Sequence, residues 1–388
     1  MARRVFFHIG APKTGTTFLQ TVMWHNRRAL ADHGLLYPGR YSRDHLHASQ
    51  VIRGTRQAHM SPKQTSAWDR LVDELTAWPG TGLISHEFFS MATAEQAKSA
   101  VERLAPAEVH VVLTARDYVR QFAADWQESL KMNCDLSLDE FMERALRHDL
   151  PRPWGWNTHD LVGTLERWGT SVPSRRIHII TVPKPGSPRD LLWRRWCEVL
   201  ELDPDAFDID VAVSNESLGG AQAALLQRVK PHLSGALQRG PEKHRWLRAY
   251  FAHQVLLSQG GERFTLRSEH VTELRRICEE ATASIDRAGY TVTGDLAELL
   301  PDPAIVPIPA AYPDDVPASE LVDVATKAIE QMIRDVRSLT LERNKWRRRA
   351  RGNRSWRFGD PASSGRRAGK VAVKARSVVA KGRSRLRG

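Results

Sequence analysis

The sequence predicts an α/β fold in which a mainly parallel sheet is covered by helices on both faces. Four short apolar runs are typical of buried strands, at residues 4–10, 82–86, 109–115 and 176–182. Longer segments with helical spacing separate them, and this alternation indicates strands joined by crossover helices. No apolar run in the 388 residues approaches the ~18 residues that a membrane-spanning helix requires. The chain is therefore not expected to cross a membrane.

The first few residues are basic and apolar, and we interpret them as the first strand. Their apolar run is too short for a signal peptide. The three cysteines, Cys134, Cys197 and Cys278, form no Cys-x-x-Cys pair, so neither a disulfide framework nor a cysteine-based zinc site is indicated. Together these observations favour a cytoplasmic location.

Helical patterns lie between the strands. Residues 16 to about 33 place apolar side chains on one face, and Gly34 ends the pattern. Residues 42–64 hold several histidines but little apolar periodicity, which favours a solvated loop, with an acceptor-binding flap as the alternative. Residues 118–130 form an amphipathic helix, and residues 137–140 begin another with a capping box. Helical spacing returns at 191–202, 218–233 and 269–288.

The C-terminal part differs in composition from the rest. We place the end of the compact domain near Leu300, so that residues 1–300 form one domain. Prolines crowd the next residues and interrupt any helix, which predicts a linker over 301–318. A C-terminal helix is predicted over 319–346. Its apolar stripe is too short to assign it to a coiled coil from the sequence, so packing onto the body is at least as well supported. Residues 347–388 predict a disordered basic tail.

The net charge of +12 is concentrated in this tail. Residues 343–388 hold 17 of the 57 Lys and Arg residues and one of the 45 acids, Asp360, so this segment has a charge of +16. The remainder holds 40 basic and 44 acidic residues and has a charge of −4. We therefore expect the tail to contact anionic membrane surfaces or nucleic acid without sequence preference, and a tail that only keeps the protein soluble is the alternative.

The most informative residues join the first strand to the first helix and read Gly10-Ala11-Pro12-Lys13-Thr14-Gly15-Thr16-Thr17. Backbone N–H groups in such a loop, together with the positive end of the helix dipole, form a cradle for phosphate-type anions. The Walker pattern of ATPases and kinases requires a lysine directly after its second glycine. Here Thr16 has that position and the lysine is Lys13, which argues against an ordinary ATPase or kinase.

Pro-Lys-x-Gly-Thr-Thr after a first strand resembles the phosphate loop of the sulfotransferases that use 3′-phosphoadenosine 5′-phosphosulfate (PAPS). The resemblance implies a P-loop-type fold. It also implies that Lys13 contacts the oxygen between the 5′-phosphate and the sulfuryl group, and that Pro12 to Thr17 form the donor-binding loop, with Thr14, Gly15, Thr16 and Thr17 on the 5′-phosphate. A tight turn whose glycines merely permit positive φ is the alternative.

In this family an arginine at the end of a later strand, with a serine eight residues on, binds the donor's 3′-phosphate. Arg116 follows the run 109–115 at the matching place, and the residue eight positions on is Ala124. Arg116 is able to make a bidentate contact with a phosphate, and Gln121, Gln127 and Ser129 are candidate replacements for the serine. An exposed pair of residues at a helix start is the alternative for Arg116 and the aspartate after it.

Transfer to a hydroxyl requires a base, and ligands in open α/β sheets lie beyond the carboxyl ends of the strands. The run 82–86 ends at His86 and Glu87. The sulfotransferases use a histidine in their small-molecule branch and often a glutamate in their carbohydrate branch, so each residue matches one precedent. We prefer Glu87, with His86 second; a helix-start carboxylate and a core histidine are the alternative.

The sequence thus predicts a sulfotransferase that uses PAPS, without a metal, to sulfate a hydroxyl or amine of a small-molecule or glycan acceptor. No carboxylate accompanies the histidines of residues 42–64 at ligand spacing, which argues against a metal site there. Two rival hypotheses remain. One is an inactive nucleotide-binding or scaffold protein with an anion-binding tail, and the other is an atypical P-loop kinase.

Overall fold

One parallel sheet forms the centre of the molecule. The computed structural model describes residues 1–55, 57–150, 155–211, 217–303 and 311–355. Within them the strands are β1 (Arg4–Gly10), β2 (Leu35–Leu36), β3 (Thr81–Ser85), β4 (Glu108–Ala115), β5 (Ile177–Thr181) and β6 (Thr291–Thr293). They form a sheet in the order β2-β3-β1-β4-β5-β6, and each neighbouring pair is parallel. The predicted parallel sheet is confirmed.

Helices join the strands. They are α1 (Thr16–His25), α2 (Arg27–Asp32), α3 (Asp44–Ile52), α4 (Pro62–Thr65), α5 (Ala67–Ala77), α6 (Ala94–Glu102), α7 (Tyr118–Leu130), α8 (Leu138–Leu146), α9 (Trp156–His159), α10 (Leu161–Gly169), α11 (Leu191–Leu200), α12 (Gly220–Val229), α13 (Gly240–Glu242), α14 (Ser268–Ala288) and α15 (Ala318–Ser355). A π-helix covers Lys243–Leu256, and a 3₁₀ turn at Glu87–Met91 follows β3. Among the described helices, none is both long and apolar enough to span a bilayer.

Each face of the sheet is covered by its own hydrophobic core. Successive side chains of a strand point to opposite faces. In β1, Val5, Phe7 and Ile9 belong to one cluster, which includes residues of α5, α7, α10 and α14. Phe6 belongs to the other, with residues of α1 and α11. The prediction of helices on both faces is therefore confirmed.

The helix predicted from Thr16 to about residue 33 is divided in two at Asn26. The Asn26 side-chain amide donates to the carbonyl oxygens of Val22 (2.9 Å) and Asp208 (2.7 Å), and its Oδ1 accepts from the Asp208 N–H (3.0 Å). These contacts hold Asn26 at φ −94° and ψ 16°, outside helical geometry. A partner 182 residues away thus overrides the local apolar pattern.

Residues 42–64, predicted to be a loop, are largely helical where they are described. The first turn of α3 is anchored by polar contacts, which carry no apolar periodicity. The buried Asp44 carboxylate lies 2.7 Å from an Arg70 nitrogen, and buried His45 donates through Nε2 to the carbonyl of Pro38 (2.9 Å). The prediction was wrong because buried polar pairs, together with a few apolar contacts of Ala48, Val51 and Ile52, hold this segment to the body.

The contacts of the chain divide it into two units, Met1–Ala328 and residues 329–388. In the first unit Ala311, Tyr312 and Val316 are buried, and Tyr312 Oη donates to Asp139 Oδ1 at 2.6 Å. Residues 304–310 of the predicted linker and residues 356–388 of the predicted tail lie outside the described residues. The predicted C-terminal helix is present and extends to Ser355.

Candidate active site

Three neighbouring strands end at the same edge of the sheet, as their parallel order requires. β1 lies between β3 and β4, with His8 beside Ser85 and Gly10 beside Leu113 in the strand register. The loop after β1, Glu87 after β3 and Arg116 after β4 therefore share this edge. The chain leaves β1 toward β2 on one side of the sheet and leaves β4 toward β5 on the other, so the connections diverge between β1 and β4. Open α/β sheets bind ligands at such a switch point.

The loop that follows β1 depends on residues with positive φ. Gly10 has φ +107°, Gly15 has φ +84°, and Lys13 has φ +65°. A Cβ on Gly10 would lie 2.7 Å from Glu87 Cα, so any larger residue would push the loop away from the end of β3. Gly15 is the N-cap of α1. The unpaired N–H groups of the first turn of α1 therefore lie next to the loop.

The threonines of the loop differ in their exposure. Thr14 is fully buried; its hydroxyl donates to the Ala11 carbonyl and lies 2.6 Å from Thr114 Oγ1. Thr16 is 3% exposed, whereas Thr17 is exposed. The Thr14 side chain thus holds the loop to β4, and only its backbone N–H remains for a ligand.

A buried polar network at the ends of β1, β3 and β4 supports the loop. His8 on β1 bonds through Nδ1 to Ser85 Oγ (2.7 Å) and through Nε2 to Thr114 Oγ1 (3.4 Å), and Thr114 Oγ1 donates to the Gly10 carbonyl (3.2 Å). Burial lowers the pKa of His8 to about 3. A neutral imidazole therefore links the ends of β1, β3 and β4 beneath the loop.

This histidine makes stability depend on pH. Since its pKa is 6.5 when unfolded and about 3 when folded, the unfolded chain binds the proton first as pH falls below 6.5. The contribution of His8 to the free energy of unfolding is therefore fully present above pH 6.5 and is lost as pH falls toward 3. We expect His8→Gln to reduce the loss of unfolding free energy between pH 7 and pH 5 by about 2 kcal/mol. Urea unfolding at both pH values tests this, with exposed His33→Gln as control; an equal pH response of wild type and His8→Gln would refute it.

A second network supports the loop from α7. Gln121 Nε2 donates to the Pro12 carbonyl (2.8 Å) and to His159 Nδ1 (3.0 Å), and His159 Nε2 donates to Asp125 Oδ2 (2.6 Å). The side chains of His159 and Asp125 are fully buried. The sequence analysis did not identify this pair, because its members lie 34 residues apart and match no motif.

The ammonium of Lys13 faces a carboxylate that the sequence analysis also missed. Lys13 Nζ lies 3.7 Å from Glu128 Oε2 on α7. The same carboxylate lies 3.7 Å from Lys131 Nζ and 2.6 Å from an Arg248 nitrogen. Burial raises the pKa of Glu128, but Lys13, Arg248 and Lys131 outweigh burial and hold it below its usual value. Three cations share one ionised carboxylate, so this part of the site has a positive excess that suits an anionic ligand.

Arg116 reaches from the end of β4 to the loop, where one of its terminal nitrogens donates to the Lys13 carbonyl (3.1 Å). Burial, followed by repulsion from Arg120, lowers the pKa of Arg116 to about 10, so the side chain stays charged at neutral pH. Among the described residues, Arg116 Nε and one terminal nitrogen of Arg120 are buried without a hydrogen-bond partner. Unpartnered buried donors on two guanidinium groups fit an anionic group.

His86 and Glu87 follow β3 and have different contacts. His86 Nδ1 accepts from the Phe88 N–H (3.1 Å) and caps the 3₁₀ turn. Glu87 Oε2 accepts from Gln20 on α1 (3.1 Å) and lies 3.7 Å from His86 Nδ1. Burial raises the pKa of Glu87, but the charge that His86 carries when protonated and hydrogen bonds, among them the one from Gln20, bring it below its ordinary value, so Glu87 is ionised and able to accept a proton. Burial lowers the pKa of His86, which favours its neutral form.

The three candidate replacements for the family serine already bond within the protein. Gln121 supports the loop, as described above. Gln127 Oε1 accepts from the Leu218 N–H (3.0 Å), and the buried Ser129 hydroxyl donates to the Trp126 carbonyl (2.8 Å). Ala124 itself is half-buried on α7. These contacts leave Arg116 as the residue of this group with an unpartnered buried donor.

No group of three or more His, Cys, Asp or Glu side chains that would hold a metal occurs among the described residues.

Comparison with protein-family models finds no match, and comparison with curated proteins finds none. Among solved structures, a crystal structure of a sulfotransferase from Alicyclobacillus acidocaldarius is similar to this chain, at 16% sequence identity and a TM-score of 0.39. The similarity covers 55% of this chain and 88% of that one.

Proposed function

We propose that this chain is a sulfotransferase that moves a sulfuryl group from PAPS to a hydroxyl, or an amine, of a small-molecule or glycan acceptor. The observation that carries the proposal is the position of Lys13. It lies within the loop from β1 to α1, two residues before the N-cap Gly15, instead of directly after that glycine. From this loop the ammonium would reach the leaving oxygen of an anion bound at the start of α1.

The residues of the site fit a donor with two anionic ends. PAPS supplies the sulfuryl group and leaves as adenosine 3′,5′-bisphosphate. The N–H groups of Thr14 to Thr17, with the exposed Thr17 hydroxyl, would hold the 5′-phosphate. Arg116, with its unpartnered Nε, would hold the 3′-phosphate at the end of the neighbouring strand.

Two side chains would carry the chemistry. Glu87 takes the proton of the acceptor hydroxyl as that oxygen bonds to sulfur. Lys13 stabilises the negative charge that remains on the 5′-phosphate oxygen when the bridging S–O bond breaks. We assign the base to Glu87 over His86 because the Nδ1 of His86 is occupied by the Phe88 N–H. The Glu128 carboxylate contacts three cations. We assign to it the role of orienting the Lys13 side chain.

Ligand binding separates this function from its rivals. We expect adenosine 3′,5′-bisphosphate to bind more tightly than ATP with magnesium by calorimetry, and PAPS to release the bisphosphate when hydroxyl- or amine-bearing acceptors are added. The reverse order of affinities would support a kinase. Binding of the bisphosphate with no release from PAPS across a broad acceptor panel would support an inactive nucleotide-binding protein.

Arg116 is expected to select ligands that carry a 3′-phosphate. Arg116→Ala should weaken adenosine 3′,5′-bisphosphate by about 1.5–3 kcal/mol, the value of a charged hydrogen bond, and adenosine 5′-monophosphate much less. Because Arg116 also supports the Lys13 carbonyl, Gln121→Ala is the matched control: it removes a bond to the neighbouring Pro12 carbonyl without removing a charge. Equal losses for both ligands in Arg116→Ala would reassign Arg116 to loop support alone.

A further inference from the structure

The helix α15 (Ala318–Ser355) exposes a row of large apolar side chains. It has 38 residues and is therefore about 57 Å long. Near its start Leu321, Val324 and Ala328 are buried. Beyond them Ile329 is 57% exposed, Val336 61%, and Leu339 65%. Soluble proteins rarely leave a contiguous apolar surface of this kind uncovered.

The exposed residues follow a heptad repeat on a different face from the buried ones. Counting from Val322 as position a, the a positions are Val322, Ile329, Val336 and Arg343, and the d positions are Ala325, Met332, Leu339 and Trp346. In parallel coiled coils, β-branched residues at a with leucine at d favour two strands. Here three of the four a positions are β-branched, and Met332 and Leu339 occupy the two central d positions. We propose that two copies of this chain pair through α15 as a parallel, in-register coiled coil.

The flanking charges agree with parallel pairing. In a parallel pair each g position faces the following e position of the other helix. Glu342 at g would then face Arg347 at e of the second copy, and Asp335 at g would face the neutral Thr340. An antiparallel pair brings g positions together, and the acidic Asp335 and Glu342 would repel each other there.

The residues at positions b and f lie on the side of α15 opposite the a and d positions. Lys327 and Arg334 occupy f positions, and Arg334 pairs with Glu330 at a b position (i, i+4). Charged residues at b and f are typical of the solvent side of a coiled coil. Arg343 is the charged residue at position a, and a single polar residue at a costs stability but specifies register and the number of helices. Two exposed apolar residues, Ile333 at e and Leu341 at f, lie outside the a and d positions. A second copy is thus the occupant that matches the a and d positions.

The mass of the full chain in solution tests the pairing. By light scattering or sedimentation we expect twice the monomer mass of 43.8 kDa. Leu339→Glu and Ile329→Glu should each convert the dimer to monomer, whereas Lys327→Glu, at an f position of the same helix, should leave it dimeric. Circular dichroism establishes that each variant is folded. A monomeric wild type at tens of micromolar, or a dimer that survives both variants, would overturn the proposal.

A cysteine tests the orientation of the helices. In the proposed pair the two copies of residue 336 face each other at position a, so Val336→Cys should form an intermolecular disulfide under mild oxidation. Lys327→Cys, on the outer side, should not, and the wild type gives the background from Cys134, Cys197 and Cys278. A dimer without this cross-link contradicts the parallel register.

A monomer that binds phosphatidylserine vesicles, and loses this binding in Leu339→Glu, would identify the apolar row as a lipid-binding face. The test does not depend on sulfotransferase activity.

Discussion

Lys13→Met is expected to lower the turnover of sulfuryl transfer by roughly 10²–10³-fold, the usual effect of removing one donor that stabilises a developing anion, while the fold remains intact. The ammonium is needed most when charge appears on the leaving oxygen, so turnover should fall more than the affinity for adenosine 3′,5′-bisphosphate. The Glu128 carboxylate is not left unpaired in this variant, because Lys131 and Arg248 still contact it. The protein should therefore unfold at nearly the wild-type temperature.

Lys131→Met is the matched control for this prediction. Lys131 lies at the same 3.7 Å distance from the same Glu128 oxygen, but on the helix side instead of in the loop. If Lys13 acts on the leaving oxygen, single-turnover rates in Lys13→Met should be far below those in Lys131→Met. Similar rates in the two variants would mean that the loss comes from the shared ion pair, and unchanged turnover in Lys13→Met would rule out the proposed role.

Glu87→Gln is expected to lower the rate by roughly 10²–10⁴-fold, the range of general-base catalysis. The substitution removes the proton acceptor but keeps an amide oxygen that can still accept from Gln20. The wild-type rate should fall on the acid side, as pH drops through the pKa of Glu87, which lies below its ordinary value. This acid limb should be absent in Glu87→Gln, and kcat/KM measured against pH tests both expectations.

Two further variants identify the base if it is not Glu87. His86→Asn should cost less than Glu87→Gln; the opposite order, with an acid limb nearer the histidine range, would transfer the role to His86. Glu128→Gln should alter the affinity for the donor product, because it removes the carboxylate that Lys13 contacts. If Glu128→Gln alone removed the acid limb, Glu128 would be the base.

Much of the fold could be predicted because buried parallel strands are continuous apolar runs. The runs at residues 4–10, 82–86, 109–115 and 176–182 match β1, β3, β4 and β5 to within one or two residues. β2 and β6 have two and three residues and are too short to produce a pattern. The break at Asn26 and the helix α3 were missed because polar contacts with distant segments hold them.

In the candidate site, too, the sequence predicted the positions of residues but not the directions of their side chains. Lys13, Glu87 and Arg116 could be assigned to one sheet edge from the sequence, because the carboxyl ends of neighbouring parallel strands meet there. The resemblance places Thr14 on the 5′-phosphate, and the structure turns the Thr14 hydroxyl toward Thr114 on β4. The direction in which a side chain points depends on what packs against it, which a loop motif does not record.

The sequence by itself determined the four longer strands, the loop between β1 and α1 and the lysine within that loop, because strand burial and loop composition are local properties. Only the tertiary structure decided which charges surround that lysine. Glu128 and Arg248 lie 115 and 235 residues from Lys13 along the chain. They come together because Glu128 on α7 contacts both Lys13 of the loop and Arg248 of the π-helix. Electrostatic contacts act through space and leave no periodicity in the sequence, so the setting of Lys13 becomes visible only when the chain is folded.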